Sequence, residues 1–168
     1  MEMCTTLGFF HLKNIAGFDD DILKRDLMEF HALPDNVKHH LKNHLHNSDN
    51  PNKYRGYIPF IDNDASHKEM LDMGCDYSTF SEDEKRYPLT EATPFPSEPE
   101  YAHIEENFKR HYDFRLRLGL QLLEYIALGL GKDRHFFSAW FEEQTLSTLR
   151  TIKYLPRSES TVRSDTLD

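Results

Sequence analysis

Between Ser97 and Leu130 apolar side chains recur every three or four residues: Tyr101, Ile104, Phe108, Tyr112, Leu116, Leu120, Leu123, Ala127 and Leu130. The spacing predicts a helix of roughly 30 residues, about 45 Å long, with one apolar stripe that the rest of the chain has to cover. Ser97 and Glu100 stand three apart, as in a capping box, and Pro99 is tolerated in a first turn. Gly129 and Gly131 mark the stop. At 168 residues the chain is long enough for one domain built around such a beam.

Two shorter helices are expected ahead of it. In "DDDILKRDLMEFHAL", Ile22, Leu23, Leu27 and Phe30 have helical spacing, and Asp19 to Asp21 supply a cap and an acidic first turn. "LPDNVKHHLKNHLHN" restarts a helix after Pro34, with Val37, Leu41 and Leu45 one per turn. "LGFFHL", Leu7 to Leu12, reads as a buried strand. Gly56 and Pro59 in "YRGYIPFI" suit an edge strand or bulge. Asp62 to Pro96 has no clear period and reads as a long irregular loop. After the beam, "KDRHFFSAWF" predicts a short amphipathic helix. Leu146 to Leu155, rich in Thr, Ile and Tyr and closed by Pro156, predicts a strand. The order gives an α+β, helix-rich class in which the best strand comes last.

The balance of charge excludes some partners. With 29 acidic against 20 basic side chains, the net charge is −9, whereas nucleic acids and anionic membrane surfaces are bound through clustered Lys and Arg. A hydrophobic content of 38% with 12% aromatic is that of a folded chain. Cys4 and Cys75 cannot form a disulfide framework, and "MEMCTTLGFF" has no basic start or long apolar run. A soluble, cytoplasmic protein is expected.

Spacing alone offers little chemistry. His40 and His44 are one helical turn apart, so both imidazoles could reach one metal, but Leu41 stands where a zincin has Glu. A solvated face with adventitious zinc or nickel affinity is the simpler reading, and a metalloenzyme built on the surplus histidines is the bolder one. His67-Lys68-Glu69 and His103-Ile104-Glu105 could each offer two arms of an iron(II) triad, but residues two apart on a helix diverge by about 200°. "GLGKD" ends a helix and lacks the phosphate-loop spacing.

Taken in order, "LGFFHLKN", "ALPDNVK", "YRGYIPF", "HKEMLDMGCDY", "RYPLTEATPFP", "LLEYIALGLGKD" and "STLRTIKYLP" resemble the N-terminal non-haem dioxygenase region of the iron(II)/2-oxoglutarate-dependent oxygenases, in the isopenicillin N synthase-like branch. The resemblance spans nearly all of residues 1–168. It departs from the family pattern in having only seven residues before Gly8 and "NIAG" where Asn-His-Gly would stand.

The resemblance implies the N-terminal part of a double-stranded β-helix, a jelly roll, with the sheet incomplete and Leu146 to Leu155 as its first main strand. The iron-binding His-x-Asp, the distal His and the Arg-x-Ser for 2-oxoglutarate are expected beyond Asp168, in a catalytic half this chain lacks. The partners of the last strand are expected there too. The family's activity is oxidation of a small molecule by dioxygen with iron(II) and usually 2-oxoglutarate. This chain alone is therefore expected to be an incomplete oxidoreductase, inactive and without cofactor. The alternative is a binding or regulatory module that pairs its unfinished sheet with a full-length relative, or self-associates. Tyr154 matches a residue that binds the 2-oxoglutarate carboxylate in many relatives, although Ile152 replaces the Asn two positions before it. Arg55 and Tyr57 fall where some relatives contact substrate.

Overall fold

The computed structural model describes residue 6 and residues 8–62, 64, 66–141 and 145–157. Cys4 and the tail from residue 158 lie outside them. Helix α1, Asp20–His31, starts where the acidic run places it. Asp19 is the N-cap, and its Oδ1 accepts from the backbone N–H groups of Asp21 and Ile22, both at 3.0 Å. Helix α2, Asp35–His40, ends sooner than the Val37–Leu41–Leu45 spacing predicts, and Leu45 is 81% exposed. The backbone leaves the helix there to meet a strand: Tyr57 N–H donates to the Leu41 carbonyl at 2.7 Å, and Asn43 N–H to that of Tyr57 at 3.3 Å. The side chains of Asn47 and Asn50 donate to the carbonyls of His39 and Lys42 released by the early stop.

Three strands form one antiparallel sheet in the order β1 (Gly56–Ile58), β2 (Lys68–Met73), β3 (Leu149–Tyr154). Two expectations are corrected here. The central strand lies inside the stretch read as irregular loop, and the final strand is paired along all six residues, from Lys68↔Tyr154 to Met73↔Leu149. β2 escaped the sequence reading because its helix-facing positions are Glu69, Leu71 and Met73. A charge on the buried face breaks the alternation that marks a strand. The expected edge strand at β1 is present. Its Gly56 has φ +135°, and an added Cβ would stand 2.6 Å from the Leu41 carbonyl oxygen.

Helix α3, Ala102–Gly129, is the beam. It is entered through a 3₁₀ turn, Pro99–Tyr101, with no side-chain cap on either segment, so the Ser97–Glu100 box does not form. Prolines at 94, 96 and 99 hold the approach extended, and the tighter turn satisfies the Tyr101 N–H through the Glu98 carbonyl at 2.9 Å. The first half of α3 is well covered. Ile104, Phe108 and Tyr112 are buried with Phe30, Leu33, Val37, Leu41, Tyr57, Leu71 and Met73, and the Phe30 and Phe108 rings lie 5.4 Å apart. Each such aromatic contributes about 1.5–3 kcal/mol through burial. The second half is only partly covered.

Two further expectations are not met. Gly8 to Leu12 forms no strand, and Phe9 is 64% exposed, because no described strand lies beside it to accept its backbone. Residues 132–141 form successive turns with bonds such as Phe136 N–H to Asp133 O at 3.0 Å, in place of a helix. The packed Phe136, Phe137 and Trp140 rings bend the segment onto itself, with Trp140 65% exposed. Among the described residues no helix is long and apolar enough to cross a membrane.

Candidate functional site

Side chains alternate across a strand, so the register assigns each residue a face. The face toward α1 and α3 carries Tyr57, Glu69, Leu71, Met73, Leu149, Thr151 and Lys153. The other face carries Ile58, Met70 and Ile152 in one row across all three strands, with Tyr154 opposite Lys68 at one end. At the other end Arg150 grips Asp72 with two bonds of 2.6 Å, which holds the guanidinium firmly protonated. Tyr154 is 68% exposed and Ile152 42%. This open face is the candidate site.

The outer edge of β3 is open as well. Leu155 N–H donates to the His67 carbonyl at 3.0 Å. By the alternation of an antiparallel ladder, the amides of Leu149, Thr151 and Lys153 then point at β2, and those of Arg150, Ile152 and Tyr154 point away from it. Among the described residues no strand lies on that side.

The three residues singled out from the sequence separate. Tyr154 stands on the open face. Arg55 is buried: it donates to the carbonyls of Met73 (3.2 Å), Leu146 and Ser147 (both 3.1 Å) and to the hydroxyl of Thr148. It thereby fastens the approach to β3. Gly74 makes room for it, since a Cβ there would lie 2.9 Å from Arg55 Nε. Tyr57 is buried on the helix side and donates its hydroxyl to Glu69 Oε2.

Glu69 is the centre of a buried cluster that the sequence did not reveal. Its carboxylate meets His31 Nδ1 at 3.0 Å, Lys38 Nζ at 3.5 Å and Lys153 Nζ at 3.3 Å, besides Tyr57. Burial works against its charge. The bonds from His31 and Tyr57 and the Lys38 charge outweigh that and hold the carboxyl at about 2. Burial, reinforced by the same carboxylate, drives the Tyr57 hydroxyl well above the ordinary tyrosine range. A second tie joins α1 to α3. Buried Asp26 accepts from Arg25 (2.9 Å) and His111 (2.8 Å), and these partners hold it ionised against the effect of burial. His31 stands 38 positions from Glu69, and His111 stands 85 from Asp26, so no spacing rule could find either pair.

The histidine motifs do not converge. α2 ends before His44, whose Nδ1 instead lies 2.9 Å from the Asn50 carbonyl. His67 has φ +46° and points its Nε2 at the Pro156 carbonyl, away from Glu69. His103 meets Glu29, while Glu105 meets Lys109. Among the described residues no group of three or more His, Cys, Asp or Glu is placed to hold a metal ion. The donor set that an iron(II) site requires is therefore not supplied by these residues, and no chemical step is assigned to one. The half-covered stripe of α3 borders a cavity of about 370 Å³, where Leu116, Leu120, Leu123 and Phe141 face Thr148 and Leu149.

No protein-family model matches the chain. It is 31% identical over 157 residues to isopenicillin N synthase of Streptomyces clavuligerus, covering 90% of this chain and 46% of that protein. It is 30% identical over 160 residues to that of Amycolatopsis lactamdurans, covering 91% and 47%. The chain thus spans about half the length of the curated relatives it matches. Among solved structures, a putative 2OG-Fe(II) oxygenase family protein from Caulobacter crescentus superposes with TM-score 0.65 at 23% identity, over 84% of this chain and 45% of that one. A full-length Neurospora crassa protein crystallised in complex with alpha-KG and thymine superposes with TM-score 0.65 at 17% identity, over 92% and 48%. These structures establish the fold alone, helices with the incomplete sheet of a jelly roll. By sequence and fold together, the chain resembles the N-terminal half of the isopenicillin N synthase-like iron(II)/2-oxoglutarate oxygenases.

Proposed function

We propose that this chain serves as the supporting half of a jelly-roll oxygenase, and that its open sheet face lines a reaction chamber which a catalytic half completes. The observation that carries this reading is the face itself: Ile58, Met70 and Ile152 in a row, with Tyr154 at its rim. The parent activity is oxidation of a small molecule by dioxygen. When bound, iron(II) and 2-oxoglutarate would activate the dioxygen. This chain's residues act around that chemistry. The Tyr154 hydroxyl would donate to a co-substrate carboxylate, while Arg55 and Tyr57, fixed from behind, would hold the strands that form the chamber wall. Relatives named isopenicillin N synthase, and the Neurospora crassa structure holding alpha-KG and thymine, support a small-molecule substrate class.

On this reading the chain by itself performs no oxidation. Anaerobic addition of iron(II) and 2-oxoglutarate should give no charge-transfer band, and exposure to air should release no succinate above the blank. Stoichiometric succinate that survives repurification would overturn it and restore the histidine-based metalloenzyme. The outward amides of Arg150, Ile152 and Tyr154 favour a second reading, a module that adds its β3 edge to a full-length relative. Co-purification with such a relative, abolished by proline at Ile152, would support that reading.

A further inference from the structure

Where the segment preceding α1 crosses α3 lies a cavity of about 220 Å³ that shares no lining residue with the open face. Its polar lining is Arg25, Arg110, Arg115 and His111, against one carboxylate, Asp19. Asp19 is occupied as the N-cap of α1. In a chain of net charge −9 this is a concentration of cations. Arg25 is neutralised by Asp26, but the other two arginines are not comparably engaged. Arg115 is half-buried with one bond, Nη1 to the His111 carbonyl at 3.0 Å, and Arg110 binds only the neutral side-chain oxygen of Asn107. Neither has a carboxylate partner among the described residues. Burying a guanidinium without a counter-ion is unfavourable, and burial indeed lowers the pKa of Arg115.

The remaining walls are apolar. Phe18 and Phe114 stack with centroids 6.2 Å apart, and Ile22 closes the side. A planar fork of donors beside two aromatic rings suits a ligand with a flat apolar body and one acidic group. The volume holds a single ring with its substituent: an engineered cavity of about 150 Å³ takes up benzene.

We propose that this cavity binds a single-ring aromatic carboxylate, its ring against Phe18 and Phe114 and its carboxylate on Arg115 and Arg110. The site is separate from the sheet face and does not depend on the oxygenase reading.

Titration calorimetry of the full chain with benzoate, benzyl alcohol and inorganic phosphate tests it. Benzoate should bind with one-to-one stoichiometry and weaken as salt rises, and the other two should bind at least tenfold more weakly. Arg110→Gln, at an exposed position, should lower benzoate affinity about tenfold, as loss of one charge-assisted bond does. Arg115→Gln should lower it further while leaving the thermal midpoint within a few degrees; if that variant does not fold, Arg110→Gln decides alone. No benzoate binding, equal binding of benzyl alcohol or phosphate, or unchanged affinity in Arg110→Gln would each overturn the proposal.

Discussion

Glu69 gathers polar partners from four elements, His31 of α1, Lys38 of α2, Tyr57 of β1 and Lys153 of β3. It is buried, yet it is charged because His31, Tyr57, Lys38 and Lys153 surround it. Glu69→Gln would leave the buried Lys38 ammonium with only the exposed Asp35 carboxylate at 3.6 Å and the His31 carbonyl, and should destabilise the chain by about 3 kcal/mol. Tyr57→Phe removes one bond to the same carboxylate and should destabilise by about 1–3 kcal/mol. Urea unfolding of each variant measures both. The cluster also sets an acid response. The folded carboxyl sits at about 2, below its ordinary 4.5, so the unfolded chain binds more protons between those values. Its contribution, on the order of 3 kcal/mol, is present above about pH 4.5 and is lost as pH falls toward 2. Wild-type stability should fall across that window, and Glu69→Gln should flatten the profile; an equal slope in both would place the acid response elsewhere. Gly56 is a different kind of dependence, on backbone space. With φ +135° and the Leu41 carbonyl 2.6 Å from where a Cβ would stand, Gly56→Ala should cost about 2–4 kcal/mol and separate β1 from the turn after α2.

The elements differ in how far their own sequence specifies them. α1 and α3 were legible because their apolar residues keep the helical period and Asp19 is placed to cap. β2 was not, since Glu69 and Asp72 sit inside it on partners supplied by α1, α2 and β3. β3 reads as a strand, but the resemblance places its partners beyond Asp168, whereas the strand that pairs with it, β2, lies in the stretch without a clear period. The candidate site was legible only at Tyr154. The Glu69 cluster and the arginine cavity depend on contacts between elements that no spacing records. β3 itself gives a sharp test through hydrogen exchange. In a monomer the amides of Leu149, Thr151 and Lys153, bonded to β2, should exchange slowly, while those of Arg150, Ile152 and Tyr154 should exchange fast. Protection of both sets would mean that another strand occupies the edge.

At the scale of the whole molecule, one side is finished and the other is open. α1, α2 and the first half of α3 close over the sheet's inner face, whereas the outer face presents Ile58, Met70, Ile152 and Tyr154 beside an edge that no strand among the described residues covers. An apolar row next to outward-pointing backbone donors is a template for association, and the charge of Arg150, held by Asp72, only partly opposes it. The net charge of −9 keeps molecules apart at low salt, and screening shortens that repulsion to about 8 Å at physiological ionic strength. Self-association should therefore strengthen as salt rises, the reverse of what charge pairing would give. Ile152→Lys sets a charge in the middle of the row without touching the inner face, so it should change folding stability by no more than about 0.5 kcal/mol. Sedimentation velocity of both proteins at low and high salt checks the argument. The wild type should shift toward larger species with concentration and salt, and Ile152→Lys should stay monomeric. A wild type that remains monomeric at every salt concentration would mean that the open face is too small or too polar to draw a second copy, and that its cover has to be a more complementary surface.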